Sequence, residues 1–143
     1  MFVIESILKG RRLRLARILI ADDETSVRTF ICKVVKEMGH TPVEAGNGRE
    51  ALRRFQEESI DLSIVDVKMP EIDGIGYLKQ VKKENPHAVV IVMTGYPSAE
   101  TIIKTIEDDG YTYITKPLRV DRIVDLIERG LKFREARLRG EEV

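Results

Sequence analysis

The stretch Ile60–Gly74, IDLSIVDVKMPEIDG, decides the fold of this chain. Leu62, Ile64 and Val65 form a short apolar run that reads as a buried strand. The run ends on Asp66, and Lys68, Met69, Pro70 and the turn signal Asp73-Gly74 follow. A strand covered on both faces by helices leaves the core at its carboxyl end, where parallel α/β sheets bind their ligands. Asp66 therefore stands where a carboxylate can do chemistry. Taken alone, an acid there is as readily a helix cap or a loop residue, so its meaning depends on what the other strands deliver to the same end.

Working outward, the same grammar repeats. Arg17–Ala21 (RILIA) is an apolar strand ending on Asp22-Asp23-Glu24. Thr25 and Ser26 are natural helix caps, and Val27, Phe30, Ile31, Val34, Val35 and Met38 recur at helical spacing until Gly39 stops the run. Thr41–Ala45 reads as a second strand, and Gly46-Asn47-Gly48 opens a helix with Ala51, Leu52 and Phe55 inward. Beyond Gly74, Ile75, Leu78 and Val81 mark a third helix closed by Asn85-Pro86. Ala88–Met93 is a fourth strand ending on Thr94-Gly95, and Ser98 can cap a helix carrying Ile102, Ile103 and Ile106. Gly110 leads into a fifth strand, Tyr111–Ile114, which delivers Thr115, Lys116 and Pro117. Val120, Ile123, Val124, Ile127 and Leu131 define the last helix.

Five strands alternating with five helices over short links imply a parallel sheet with right-handed crossovers. Helices on both faces require the strand order to reverse, and the flavodoxin-like order 2-1-3-4-5 is the simplest doubly wound (βα)5 solution. Its switch point lies between strands one and three. Those are the strands that end on Asp22-Asp23 and on Asp66.

Composition narrows the function. The chain has 143 residues, 43% hydrophobic and 34% charged, with 24 basic side chains balanced by 24 acidic ones. That is one domain of ordinary size, with no overall basic field to argue for direct nucleic-acid binding. No apolar run approaches the roughly 20 residues of a membrane span. One cysteine, Cys32, excludes an internal disulfide and fits a reducing cytoplasm. His40 and His87 follow Gly39 and Pro86 in turn-like contexts and offer little to a histidine metal cluster or a catalytic triad. Residues 1–16 read as a basic extension whose Lys9, Arg11, Arg12 and Arg14 follow its apolar stretch, the reverse of a secretory signal. Residues 17–131 form the domain, and 132–143 a charged, helix-compatible tail or the start of a linker.

Three carboxylates gathered at one sheet end repel one another unless a cation joins them. With oxygen ligands and no sulfur or imidazole nearby, Mg²⁺ is the natural guest. Thr94 adds a hydroxyl and Lys116 a fixed positive charge, a set suited to the oxygens of a phosphoryl group on Asp66.

The motifs ILIADDE, IVDVKMPEIDG, VMTGY and YITKP, in this order, resemble those of the receiver domain of bacterial two-component response regulators, over about Arg17 to Gly130. The resemblance implies a phosphorelay switch and not an enzyme in the ordinary sense. By it, Asp66 is the phosphoacceptor, taking a phosphoryl group from the phosphohistidine of a sensor histidine kinase or phosphotransfer protein. Asp23, Asp66 and the backbone carbonyl of Lys68 would bind Mg²⁺, with Asp22 acting mainly through water. Thr94 and Lys116 would contact the phosphoryl oxygens, and Lys116-Pro117 corresponds to a cis peptide. Thr94 and Tyr113 would form the switch, reshaping the face of helix four, strand five and helix five for partners or a second protomer. An output domain could follow residue 143. Gly110 is followed by Tyr111 where the family usually has a small residue. Lys68 and Tyr96, each two positions beyond a site residue, flank the path of attacking water, and their bulk is expected to slow loss of the phosphoryl group.

Other classes fit less well. A receiver-like module used only for association would have little need of the acidic pair, Asp66, Thr94 and Lys116 together. A haloacid-dehalogenase-type phosphatase should show D-x-D after its first strand, where this chain has adjacent acids. A dinucleotide or flavin module lacks its phosphate loop in the first turn.

Overall fold

The computed structural model describes residues 15–107 and 111–140; the extension before Leu15, Gly110 and the last three residues lie outside them. Five parallel strands run β1 Arg17–Ala21, β2 Thr41–Ala45, β3 Leu62–Asp66, β4 Val90–Thr94 and β5 Thr112–Thr115, in the order β2-β1-β3-β4-β5. Between and after them come α1 Thr25–Glu37, α2 Gly48–Glu57, α3 Gly74–Glu84, α4 Ala99–Glu107 and α5 Val120–Leu138. The expected flavodoxin-like order is the observed one.

Alternation along the strands divides the core in two. Ile18, Ile20, Leu62, Ile64, Ile91 and Met93 face one side, with Ile31, Val34 and Val35 of α1 and Ile123, Val124 and Ile127 of α5. Leu19, Ala21, Val65, Val90 and Val92 face the other, with Ala51 of α2 and Tyr77, Leu78 and Val81 of α3. Every residue of β3 and β4 is buried. Both faces of the central strands are dry, which is why these strands read as mainly apolar runs without a polar alternation; the one polar side chain within β3 before Asp66, Ser63, is satisfied by the Tyr77 hydroxyl at 2.8 Å.

Local chemistry sets the ends of the helices. Asn47 caps α2 by accepting from Glu50 N–H at 2.8 Å, and Asp73 caps α3 by accepting from Gly76 N–H at 2.7 Å. Helix α1 differs from expectation. Its N-cap is Glu24, without a side-chain cap bond, and Thr25 is already helical. Asp22, two residues before the N-cap, takes part of that work, since its Oδ1 accepts from Glu24 N–H at 2.9 Å.

Two other differences lie at the far end of the sheet. Helix α5 continues past Leu131 to Leu138 with Ala136 buried, because Phe133 packs its ring on Tyr111 with centroids 5.0 Å apart. Tyr111 thus finds its place against α5. His40, read as a turn residue, is 4% exposed and accepts the Ala16 N–H on Nδ1 at 3.0 Å.

Candidate functional site

Strands β1 and β3 are hydrogen-bonded neighbours, with Ala21 level with Val65, so their next residues emerge side by side. Asp22 is wholly buried, Asp66 is 6% exposed and Asp23 is exposed. One carboxylate oxygen from each lies within 4.8 Å of the other two. The acids that the sequence placed on separate turns form one cluster.

Strands β4 and β5 complete the rim. Thr94 and Thr115 stand at the same level, and the Lys116 N–H donates to the Thr94 carbonyl at 2.9 Å, which carries the pairing one residue beyond β5. The peptide bond between Lys116 and Pro117 is cis. The Lys116 ammonium donates to Asp22 Oδ2 at 2.9 Å and lies 3.4 Å from Asp66 Oδ2. Thr94 is buried, and its hydroxyl oxygen accepts from the Tyr96 N–H at 3.2 Å. Asp23, Asp66, Lys68, Thr94, Tyr96 and Lys116 line a cleft of about 320 Å³ open to solvent. Tyr113 is half-buried and packs beside the core below the cleft.

The electrostatics follow from this geometry. Burial, and then the charge of Asp22, push the Asp66 carboxyl above the ordinary aspartate range, while Lys116 and the backbone N–H of Lys68 pull the other way. For Lys116, burial lowers the ammonium pKa, but the hydrogen bond from Lys116 to Asp22 and the charges of Asp66 and Asp22 outweigh it, and the net shift is upward. One ammonium faces three carboxylates. The site therefore holds an excess of negative charge on hard oxygen atoms, which a small divalent cation satisfies and a phosphate without one does not.

The β3–α3 loop is held in shape by close packing. Gly74 N–H donates to the Val67 carbonyl at 2.9 Å. A Cβ on Gly74 would lie 2.3 Å from the Asp66 carbonyl oxygen, so the helix can start this close to the acceptor strand only on a glycine. Glu71, in the same loop, takes the left-handed conformation at φ 69° and pairs with Arg49 at 3.1 Å.

One side chain near the cluster escaped the sequence. Arg28, in the first turns of α1, donates from Nη1 to the Asp22 carbonyl at 2.7 Å. Its signal was present: helical side chains lean toward the N-terminus, so a long cation there reaches back over the preceding acidic turn. A cation at that end is also disfavoured by the helix dipole unless something else holds it.

A doubly wound five-stranded sheet with an acid triad at its switch point, and a lysine brought to it from the end of β5, defines a class of small α/β domains. The family model for the response regulator receiver domain matches residues 18–128, and the chain belongs to that family. It is 36% identical over 114 residues to the transcriptional regulatory protein ZraR of Escherichia coli K12, covering 80% of this chain and 26% of that protein. The chain thus spans about a quarter of the length of the curated relatives it matches. Among solved structures, a CheY-like receiver domain protein from Methanospirillum hungatei superposes with a TM-score of 0.83 at 27% identity, over 87% of this chain and 99% of that one. A receiver domain protein from Clostridium thermocellum does so with a TM-score of 0.81 at 32% identity, over 87% of this chain and 99% of the other. Receiver domains are signalling switches, and among the described residues no helix is long and apolar enough to cross a membrane.

Proposed function

We propose that this chain is a phosphorylatable receiver that takes a phosphoryl group onto Asp66 from the phosphohistidine of a sensor histidine kinase or phosphotransfer protein. The observation that carries this reading is the Asp22, Asp23 and Asp66 cluster, with the Lys116 ammonium beside it. An Asp66 carboxylate oxygen attacks phosphorus and the P–N bond of the donor breaks, its electron pair returning to the imidazole. Bound Mg²⁺, held by Asp23, Asp66 and the Lys68 carbonyl with support from Asp22, would supply positive charge to the phosphoryl oxygens. Lys116 offers its ammonium to the same oxygens, and to do so it must share or release Asp22. The Thr94 hydroxyl, already at the rim, is free to donate to another, since in its bond to Tyr96 the oxygen is only an acceptor.

The readout follows from those contacts. Movement of Thr94 toward the phosphoryl group carries the β4–α4 turn with it, and Tyr113 turns into the space released. The acyl phosphate biases an equilibrium between two packings of α4, β5 and α5 by its differential contacts with them. That face would serve partners or a second copy of the chain, and α5, continuing to Leu138, would pass the change to an output domain in a cytoplasmic regulator.

Intact mass after incubation with acetyl phosphate and Mg²⁺ tests the reading. A phosphoryl-sized gain that disappears in Asp66→Ala and on chelation supports it. No gain from acetyl phosphate, nor from a panel of phosphorylated histidine kinases and phosphotransfer proteins, overturns it in favour of an association-only module.

A further inference from the structure

The guanidinium of Arg28 is spread over three acceptors on three segments. Nη1 donates to the Asp22 carbonyl at 2.7 Å, Nη2 to the Thr25 hydroxyl at 3.3 Å, and Nε to Glu44 Oε1 at 3.3 Å. The side chain is 18% exposed, and its Nη1 lies 3.5 Å from where a Cβ on Gly46 would sit. It is packed in place. The other side of the same turn is held by the Asp22 N–H, which donates to the Ala45 carbonyl at 3.2 Å.

The carbonyl that Arg28 holds belongs to the peptide joining Asp22 to Asp23. A peptide unit is planar, so fixing its oxygen fixes the plane that carries the Asp23 N and Cα, the base from which its side chain sets out. Asp23 is the exposed member of the acid cluster, and among the described residues its carboxylate makes no hydrogen bond that would aim it. Asp22 and Asp66, by contrast, are buried and tied to Lys116.

Resting on the metal-site reading above, we propose that Arg28 is a positioning residue for the divalent cation: it locks the Asp22–Asp23 peptide so that the Asp23 carboxylate faces Asp66. The sign of the effect separates this role from two simpler ones. A nearby positive charge repels a cation, so if Arg28 acted only through its charge, removing it would tighten Mg²⁺ binding. If Arg28 were only a strap between α1 and β2, its loss would lower stability and leave affinity unchanged. Positioning predicts weaker binding despite the lost repulsion. Partners that orient ligands typically contribute about 10-fold or more in metal affinity.

The test is isothermal titration of the full chain with Mg²⁺, with the thermal midpoint measured on the same samples. Arg28→Met is expected to raise the Mg²⁺ dissociation constant about tenfold. Arg28→Lys, which can still donate to the Asp22 carbonyl, is expected to recover most of the loss and guards against a variant that does not fold. Glu44→Gln, which removes only the half-exposed anchor, should change affinity by less than about threefold. Unchanged or tighter binding in Arg28→Met, with Asp23→Ala still abolishing it, overturns the positioning role alone. Absence of Mg²⁺ binding by the wild type would overturn the metal reading and this inference with it.

Discussion

Lys116 gives its shorter contact to Asp22, at 2.9 Å, and stands off at 3.4 Å from Asp66, the residue whose chemistry it is proposed to serve. In this state the ammonium is thus a counterion for the wholly buried acid, and Asp66 is left undercompensated. The upward shift of the Asp66 carboxyl, from burial and then from Asp22, expresses that imbalance. Charging this carboxylate costs the fold more than charging an exposed one.

Neutralising Asp66 should therefore stabilise the protein. Protonation of a carboxyl with a raised folded-state pKa adds stability at low pH, and this is lost as pH rises through that pKa. At neutral pH Asp66→Asn removes the penalty and is expected to add roughly 1 kcal/mol, about 2–4 °C in the thermal midpoint for a domain of this size. The difference should shrink toward acid pH, and millimolar Mg²⁺ should narrow it by stabilising the wild type alone. Calorimetry at neutral pH without divalent cations checks the first point, and a lower midpoint for Asp66→Asn would refute it.

The mouth of the cleft suggests a second outcome. The Lys68 ammonium lies 6.0 Å from the centroid of the Tyr96 ring, joining the β3–α3 and β4–α4 loops across the opening, although Tyr96 itself is 85% exposed. A cation at this distance over an exposed ring is held by roughly 0.5–1 kcal/mol, enough to bias the two side chains together without locking them. Water attacking a phosphoryl group on Asp66 would have to pass them. Replacing both by alanine is expected to shorten the phosphoryl half-life several-fold. If the two act as one barrier, each single variant should approach the double one instead of giving half its effect. Decay followed by intact mass in all four proteins decides it, and equal lifetimes would remove any role for their bulk.

What could be read from the sequence, and what could not, separates along a physical line. Ile60–Gly74 and RILIA announced their strands because burial on both faces leaves them mostly apolar, with Ser63 the one polar side chain inside β3 before Asp66, and each strand is followed or closed by a carboxylate at the sheet end. Sheet order followed from alternation, helices on both faces and the choice of the simplest doubly wound arrangement. Contacts made across long sequence separations were invisible: Arg28 with Glu44, His40 with Ala16, and Arg17 with Asp61 look like ordinary surface or turn residues until the fold brings them together. Where α5 ends was left open for the same reason. Its charged sequence looks solvated, but Arg134 reaches Asp61 at 3.3 Å and Phe133 meets Tyr111.

His40 gives the last prediction, at the end of the sheet remote from the acid cluster. Its Nδ1 accepts the Ala16 N–H, so the neutral ring carries its proton on Nε2, a buried atom that finds no hydrogen-bond partner among the described residues. Charging the ring would put a second proton on Nδ1, against the Ala16 N–H, and strand a cation in the core. Burial accordingly lowers the His40 pKa, and the charge of Asp61 opposes this only in part. For a base held neutral, the unfolded chain takes up protons first as pH falls below its ordinary value of 6.5, so stability declines from there until the folded-state pKa is reached. The slope in that window approaches about 1.4 kcal/mol per pH unit for one proton. His40→Gln keeps an acceptor for the Ala16 N–H but does not titrate, and its stability should lack this part of the decline. Asp66, whose shift acts with the opposite sign, is common to both proteins and cancels in the difference. Urea unfolding of wild type and His40→Gln between pH 7.5 and pH 5 measures it, and parallel curves across the range would show that His40 is not the group responsible.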